Sequence, residues 1–156
     1  MHERVNQLDL SRLDEALALL HFGFRAVVAE PDRILARRGL SRVHHRILFF
    51  VAHKPGSRVG DLRSLMGISK QALHKPMRQL IDRGLLHCAV DPKHRRARLV
   101  SLTRTGAALE DKLSSIQRDL FQRAFAAAGP RAESGFRAVL SGLIATDGSP
   151  APDSRP

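Results

Sequence analysis

Two short amphipathic segments joined by a glycine-containing turn constrain this chain more than any other feature of its sequence. The segment "RVGDLRSLMGIS" has its apolar residues on one side of a short helix that ends at Gly67. Ser69 is a good N-cap for a second helix, which extends to Arg83 and stops at Gly84. Two short helices joined by three or four residues that include a glycine form a helix-turn-helix.

A β-hairpin is predicted directly after this helix pair. The apolar segments "LLHCAV" and "ARLVSL" flank the six-residue polar loop "DPKHRR". The loop therefore forms a long basic tip between two strands. A hairpin in this position is the wing of a winged helix-turn-helix.

Longer helices are predicted on both sides of this unit. Apolar residues recur at helical spacing from Leu8 to about Arg38, with a break or kink at Pro31. A further helix starts at the N-cap Ser41 and stops at "KPG". After the wing, Thr103 caps a long helix over residues 104–128, and a last amphipathic helix follows "GP". The apolar surface of the first, fifth and sixth helices exceeds what a small winged domain can cover, so it predicts a partner chain.

The predicted fold class is mainly α (α+β), a winged helix-turn-helix with long N- and C-terminal dimerisation helices and a small β-hairpin wing. "TDGSPAPDSRP" has the composition of a disordered tail. The chain is divided accordingly into an N-terminal dimerisation helix, a winged helix-turn-helix DNA-binding domain, C-terminal dimerisation helices and a disordered tail: residues 1–40, 41–103, 104–146 and 147–156.

The charge of the chain indicates a polyanionic partner. Lysine and arginine number 26 against 15 acidic residues, a net charge of +11. Nucleic acid is the first candidate and an acidic membrane surface the second. The longest apolar run, Ile47 to Ala52, has six residues, where about 20 are needed to cross a bilayer. The N-terminus lacks a secretory signal, so a soluble cytoplasmic protein is expected.

The second helix of the pair has the polar face expected of a DNA-reading helix. Leu73, Met77, Leu80 and Ile81 share its apolar stripe. The opposite face has no acid before Asp82 and carries residue types that bond to base edges and phosphates. The candidate DNA-binding residues are Ser69, Lys70, Gln71, His74, Lys75 and Arg78. A solvated surface without a partner is the alternative for this face.

The hairpin tip is the second candidate contact with DNA. Lys93, Arg95 and Arg96 lie within four residues, with Arg98 just behind them on the strand. Arginine gains from the negative potential of a narrow groove, and a hairpin tip is slim enough to enter one. An ordinary charged turn is the alternative, but the neighbouring helix-turn-helix favours groove insertion.

Three motifs, in this order and spacing, resemble the MarR family of winged helix-turn-helix transcription regulators: "GLSRVHHRIL", "VGDLRSLMGISKQALHKPMRQLIDRGLL" and "DPKHRRARLVSLTRTG". The resemblance covers residues 8–145, and the wing signature with "LT" and Gly106 is its most specific part. It implies an obligate homodimer on double-stranded DNA at a palindromic operator. In this family, binding to the operator is often relieved by a small ligand or oxidant.

The resemblance also implies roles for single residues. Ser69, Lys70, Gln71, His74 and Lys75 match the DNA-reading start of the recognition helix, while Asp91 and Arg95 or Arg96 match the wing acid and the groove-entering arginine. The chain departs from the family in two places. His94 stands where a second wing acid is common. The pair His44 and His45 replaces a polar residue followed by an aromatic one.

Pro76 lies in the middle of the predicted recognition helix, where proline costs about 3 kcal/mol. One hypothesis is that it bends the helix and sets the angle at which Ser69 to Lys75 approach the groove. The alternative is a tolerated proline without a role in DNA reading.

Regulatory sites are less well marked. A small aromatic or anionic effector is predicted near His21, His44, His45 and Arg46. No metal site or cofactor is predicted, because the histidines lack acidic or cysteine ligands at close spacing. Cys88, the single cysteine, is expected to be a small buried residue, with redox sensing as the alternative.

Catalysis is not expected from this sequence. It has no glycine-rich phosphate loop, no "HExxH" and no Ser, His and Asp set in a strand-to-helix context. The predicted function is that of a sequence-specific transcriptional regulator, most simply a repressor. A nonspecific architectural protein that binds nucleic acid through phosphates is the main alternative. A metal- or ligand-binding module whose winged helix contacts protein and not DNA is a third.

Overall fold

A computed structural model describes residues 11–148 as six helices and three short strands. In chain order the elements are α1 (Arg12–Ala36), α2 (Arg42–His53), β1 (Ser57–Arg58), α3 (Val59–Met66), α4 (Lys70–Asp82), β2 (Leu86–Asp91), β3 (His94–Leu102), α5 (Arg104–Ala128) and α6 (Pro130–Asp147). The predicted helix start at Leu8 and the tail from residue 149 onward lie outside the described residues. Asp147, placed in the predicted tail, is the last residue of α6.

Local capping signals explain where the central helices begin and end. The side-chain oxygens of Ser69 and Thr103 accept hydrogen bonds from the Ala72 and Gly106 N–H groups, at 3.1 and 3.0 Å. Each bond satisfies a backbone donor that the first helical turn leaves free. Gly67 follows α3 with φ +62°, a conformation that costs glycine little. The predicted helix-turn-helix is confirmed.

Helix α1 continues through Pro31, so of the predicted break or kink at this residue the break is wrong. Proline removes one N–H and leaves the carbonyl of Val27, four residues earlier, without its helical donor. The side-chain amide of Gln117 on α5 donates to this carbonyl at 3.3 Å. The Pro31 side chain is buried, which places this bond where α1 packs against α5.

The sheet has one strand more than the predicted hairpin. All strand pairs are antiparallel, in the order β1, β3, β2. The added strand β1 pairs Ser57 with Val100 and Arg58 with Leu99. Two residues are too few to show an alternating pattern, so β1 could not be predicted from the sequence. This strand joins the start of α3 to the wing.

The core lies where the helix-turn-helix and the sheet meet α2 and the N-terminal half of α5. It consists of apolar residues of the helices and strands, together with two from the turns that follow α1 and α4: Leu35, Leu40, Ile47, Leu48, Val51, Leu62, Met66, Leu73, Met77, Leu80, Leu85, Leu86, Val100, Leu109 and Leu113. Their burial supplies the main driving force for folding. It also fixes α4 and the wing on one body.

Candidate nucleic-acid interface

Helix α4 presents its apolar side to the core and its polar side to solvent. Leu73, Met77 and Leu80 are buried as predicted. Ile81 is 37% exposed, so its predicted place in the buried stripe is wrong. All six predicted DNA-contacting residues are exposed, namely Ser69, Lys70, Gln71, His74, Lys75 and Arg78. This face is free of acids from Lys70 to Ile81, so its basic groups are available to phosphates.

The tip of the wing is tighter than the predicted six-residue loop. Asp91 pairs with His94 across a turn formed by Pro92 and Lys93. Arg95 and Arg96 therefore lie in β3 and not in the loop. The preceding pair joins Val90 to Arg98, so residues 95–97 bulge out of the β2–β3 ladder. Both arginines and Lys93 are exposed.

Asp91 organises the base of this turn. Its carboxylate accepts a hydrogen bond of 2.9 Å from the Lys93 backbone N–H and another of 3.0 Å from Nε of Arg58. The Lys93 bond is the main cause of a lowered pKa for the buried Asp91 carboxyl, and Arg58 and the charge of His94 add to it against the effect of burial. Asp91 is thus the wing acid that the resemblance implied, and its internal ion pair is formed.

Sequence reasoning missed Arg58, the partner of Asp91. The two residues are 33 positions apart, and Arg58 lies in the two-residue strand that no pattern indicated. Their ion pair connects the edge strand β1 to the wing turn, with the carboxylate buried and the guanidinium partly exposed. It holds the wing against the start of α3.

The end of α4, the base of the wing and the start of α5 meet at Thr103. The Thr103 hydroxyl donates to the Gly84 carbonyl at 2.6 Å and accepts from the Gly106 N–H. A Cβ atom at Gly106 would lie 1.9 Å from the Leu85 carbonyl oxygen, so only glycine fits there. This close approach gives the family-like "LT" and Gly106 signature a physical cause.

The structure does not bring the four predicted effector residues into one pocket. His44 is buried at the start of α2, where Nδ1 accepts from the Ser41 N–H at 3.0 Å and Nε2 lies 2.8 Å from Gln79 Oε1. Arg46 is exposed and donates to the Met66 carbonyl at the end of α3. His21 is exposed on α1, with its ring against that of Phe22.

His45 is buried between α2 and α5. Its Nε2 lies 3.5 Å from the hydroxyl of Ser114, which in turn donates to the Glu110 carboxylate. Burial lowers the pKa of the His45 imidazole, while the charges of Glu110 and Asp32 act in the opposite direction. The residue is part of the packing between these helices.

Redox sensing at Cys88 is only the alternative to a small buried residue, and no metal site is predicted from the sequence. Cys88 is a half-buried free thiol on β2, opposite Val100 and packed against the core. Within residues 11–148, no group of three or more His, Cys, Asp or Glu side chains is arranged to hold a metal ion. The same range has no helix long and apolar enough to cross a membrane.

A large cavity lies among α2, α5 and α6, with Val27 of α1 at its edge. Its volume is about 1170 Å³, and four phenylalanines line it: Phe49, Phe121, Phe125 and Phe136. The cavity is lined by other residues than His21, His44, His45 and Arg46. Arg118 and Arg137 also line it, and each already forms an ion pair, with Asp111 and Glu133.

Comparisons with known proteins agree with this architecture. Residues 38–97 match the family model described as MarR family. The chain is 40% identical over 133 residues to the HTH-type transcriptional regulator PetP of Rhodobacter capsulatus, covering 85% of this chain and 80% of PetP. This identity and coverage relate the two proteins over most of their lengths.

Solved structures share the fold. A MarR protein from Peptoclostridium difficile aligns with a TM-score of 0.71 at 17% identity, over 94% of this chain and 93% of its own. The MepR protein of S. aureus, solved as a complex with DNA, aligns with a TM-score of 0.71 at 15% identity, over 88% and 99%. Together with the sequence match, the winged helix-turn-helix and its flanking helices show that the chain belongs to the MarR family of transcriptional regulators.

Proposed function

We propose that the protein is a homodimeric repressor, acting in the cytoplasm, that binds a palindromic operator in double-stranded DNA and is released by a small-molecule effector. The observation that carries the proposal is the acid-free exposed face of α4, with the exposed arginines of the wing on the same body. Helix α4 suits the major groove and reads base edges there, while Arg95 or Arg96 enters the neighbouring narrow groove. MepR, which shares this fold, has been solved bound to DNA.

The first half of α1 supports the proposal of a homodimer. Leu13, Leu17, Leu20 and Phe24 continue the stripe that is buried at Pro31 and Leu35, yet they are exposed in the single chain. Leu17, for example, is 67% exposed. A helix keeps such a stripe when a neighbour covers it, and covering one leucine is worth about 1.5 to 3 kcal/mol.

Helix α6 supplies a matching surface. Phe136, Val139 and Leu143 are exposed, Val139 to 64%, and with the first half of α1 they line an apolar groove of about 550 Å³. The occupant we propose for this surface is the α1 and α6 pair of a second copy. Such a dimer would hold its two α4 helices about one helical turn of DNA apart, or 10 to 10.5 base pairs.

The cavity among α2, α5 and α6 is the effector site that the side chains favour. Its four phenylalanines suit a flat aromatic ligand. The arginines that line it are already paired with carboxylates, so an aromatic ring is favoured over a purely anionic group. A ligand there would touch the end of α2 through Phe49, and α2 packs against α4.

Selection of random and genomic DNA fragments at about 150 mM salt tests the proposed DNA recognition, because salt suppresses binding that depends on phosphates alone. We expect an inverted repeat with half-sites about one turn apart. Uniform, strongly salt-dependent binding would instead support a nonspecific architectural protein, which the net charge of +11 also allows.

Paired variants test the wing and the dimer. Arg95→Ala should weaken operator binding and reduce the slope of log affinity against log salt concentration by about one. Arg131→Ala removes the same charge from α6 and should leave affinity and slope unchanged. For the dimer, sedimentation of Leu17→Glu should give monomers. Val90→Glu, which charges an exposed apolar residue of β2, should stay dimeric. Dimers of Leu17→Glu would contradict the proposed interface.

A further inference from the structure

Gln79 differs from the exposed basic residues of α4, because its side chain contacts a side chain of another helix. It is half-buried, and its side-chain oxygen lies 2.8 Å from Nε2 of His44 on α2. The two residues are 35 positions apart in sequence. This contact is a directional polar link between α2 and the helix that presents its basic face to DNA.

The bonds of His44 define which ring nitrogen carries the proton. Nδ1 faces the backbone N–H of Ser41 at 3.0 Å, and because that group can only donate, Nδ1 must be the unprotonated acceptor. The Ser41 hydroxyl, 3.1 Å from the same nitrogen, can also donate to it. The proton of the neutral ring is therefore on Nε2, which donates to Gln79 Oε1.

A second bond holds the same side of α4. Arg83, four residues after Gln79 and just past the last helical residue, donates to the Arg38 carbonyl in the turn between α1 and α2. Residues four apart lie on one face of a helix, so both bonds attach the C-terminal half of α4 to the corner where α1 meets α2. The N-terminal half, with Lys70, Gln71 and His74, stays free for DNA.

We propose that His44 and Gln79 are positioning residues for operator recognition, which rests on the proposed DNA-binding function. The apolar contacts of Leu73, Met77 and Leu80 hold α4 on the core, but apolar contacts are non-directional and permit small rotations. A hydrogen bond requires a distance and an angle, so the His44–Gln79 pair fixes the rotation of α4 about its axis. This rotation decides which side chains of α4 reach the base edges.

Two substitutions remove the bond, one from each side. In His44→Asn, the amide oxygen takes the place of Nδ1 and keeps the bond from the Ser41 N–H, but the side chain is too short to reach Gln79. In Gln79→Met, the side chain keeps its length and loses its acceptor. The double variant completes a cycle that isolates the pair.

The measurement is the affinity of each protein for its selected operator and for random DNA at equal salt, together with its melting temperature. We expect each single variant to lose about three- to tenfold in operator affinity, the range that one hydrogen bond allows. The double variant should lose no more than either single one, and affinity for random DNA should be unchanged. If His44→Asn fails to fold, Gln79→Met carries the test, because it leaves the α2 cap untouched.

The outcomes separate this role from the function on which it rests. Wild-type protein without operator preference would overturn the proposed regulator and the positioning role together. Wild-type preference that both variants retain would overturn only the positioning role. A lower melting temperature with unchanged operator preference would likewise overturn it, since the pair would then only stabilise the fold.

Discussion

The side chain of Gln117 donates a hydrogen bond to the backbone carbonyl of Val27, 90 positions earlier in the chain. This is the carbonyl that Pro31 leaves without a donor inside α1. A side chain of α5 thus replaces the backbone bond that the proline removes. The replacement lets α1 keep a proline in its interior and remain one helix.

The stability cost of substituting Gln117 should therefore depend on which residue occupies position 31. Gln117→Met leaves the half-buried carbonyl unsatisfied and should lower the free energy of unfolding by about 1 to 2 kcal/mol. In a Pro31→Ala background the backbone N–H of residue 31 can bond to Val27, so the same change should cost little. Urea denaturation of the four proteins measures this coupling. An equal loss of unfolding free energy in both backgrounds would contradict the coupling. Gln122→Met, at an exposed position of α5, is the control.

Gly106 should tolerate no side chain. Gly106→Ala places Cβ against the Leu85 carbonyl, a backbone atom that cannot move aside, and should destabilise the protein by about 3 kcal/mol or more. Gly60→Ala is the matched control, because this exposed helical glycine has open space around it. The control should gain about 0.5 to 1 kcal/mol. Thermal unfolding of the two variants should thus shift in opposite directions.

The wing turn should lose stability in acid through Asp91. Its folded pKa lies below the ordinary value of 3.8, so its contribution is fully present above that value and is lost as the pH falls through the lowered pKa. Asp91→Asn should remove this part of the acid dependence, which denaturation at about pH 5 and at lower pH would reveal. Identical acid dependence of both proteins would contradict the assignment.

His45 should make stability depend on pH in a higher range. Burial lowers its folded pKa below the ordinary value of 6.5, so the folded state resists protonation while the unfolded state accepts it. Stability from His45 is present above pH 6.5 and declines as the pH falls from there toward the lowered pKa. His45→Phe should make the free energy of unfolding less dependent on pH in this range. His53→Phe, at an exposed position of α2, should leave the dependence of the unfolding free energy on pH unchanged.

Pro76 allows the two interpretations of the recognition helix to be separated. Helix α4 continues through the residue, whose ring is buried. Pro76→Ala should restore the helical bond to Ala72, worth about 3 kcal/mol with the relieved clash, and lose about 1.6 kcal/mol for two buried carbons. A net gain of about 1 kcal/mol in unfolding free energy follows. Changed operator preference would support a role in groove approach, and unchanged preference would indicate a tolerated proline.

Signals confined to a few neighbouring residues predicted most of the fold. Ser41, Ser69 and Thr103 marked helix starts, and Gly67 and Gly84 marked ends, because caps act on the backbone within one turn. The exposed face of α4 followed from helical periodicity alone. The family resemblance added the wing acid Asp91, and the structure shows its contacts to Lys93 and Arg58.

Contacts between distant positions could not be predicted in the same way. Arg58 with Asp91, His44 with Gln79, and Gln117 with Val27 are pairs in which neither sequence neighbourhood identifies the partner. Their formation depends on packing that brings separate elements together. Sequence patterns alone predict an effector site at His44 and His45, whereas both ring nitrogens of His44 and Nε2 of His45 face protein groups.

Thr103 also has a mechanical consequence, because β3 ends one residue before it and α5 begins one residue after it. Thr103 is the one residue between the wing and a helix of 25 residues, about 37 Å long, and its hydroxyl bonds connect this junction to Gly84 and Gly106. Over this length a tilt of about 5° at Thr103 moves the far end by about 3 Å. A small displacement at the C-terminal end of α5 therefore changes the angle between this helix and the wing, because Thr103 alone connects the two elements.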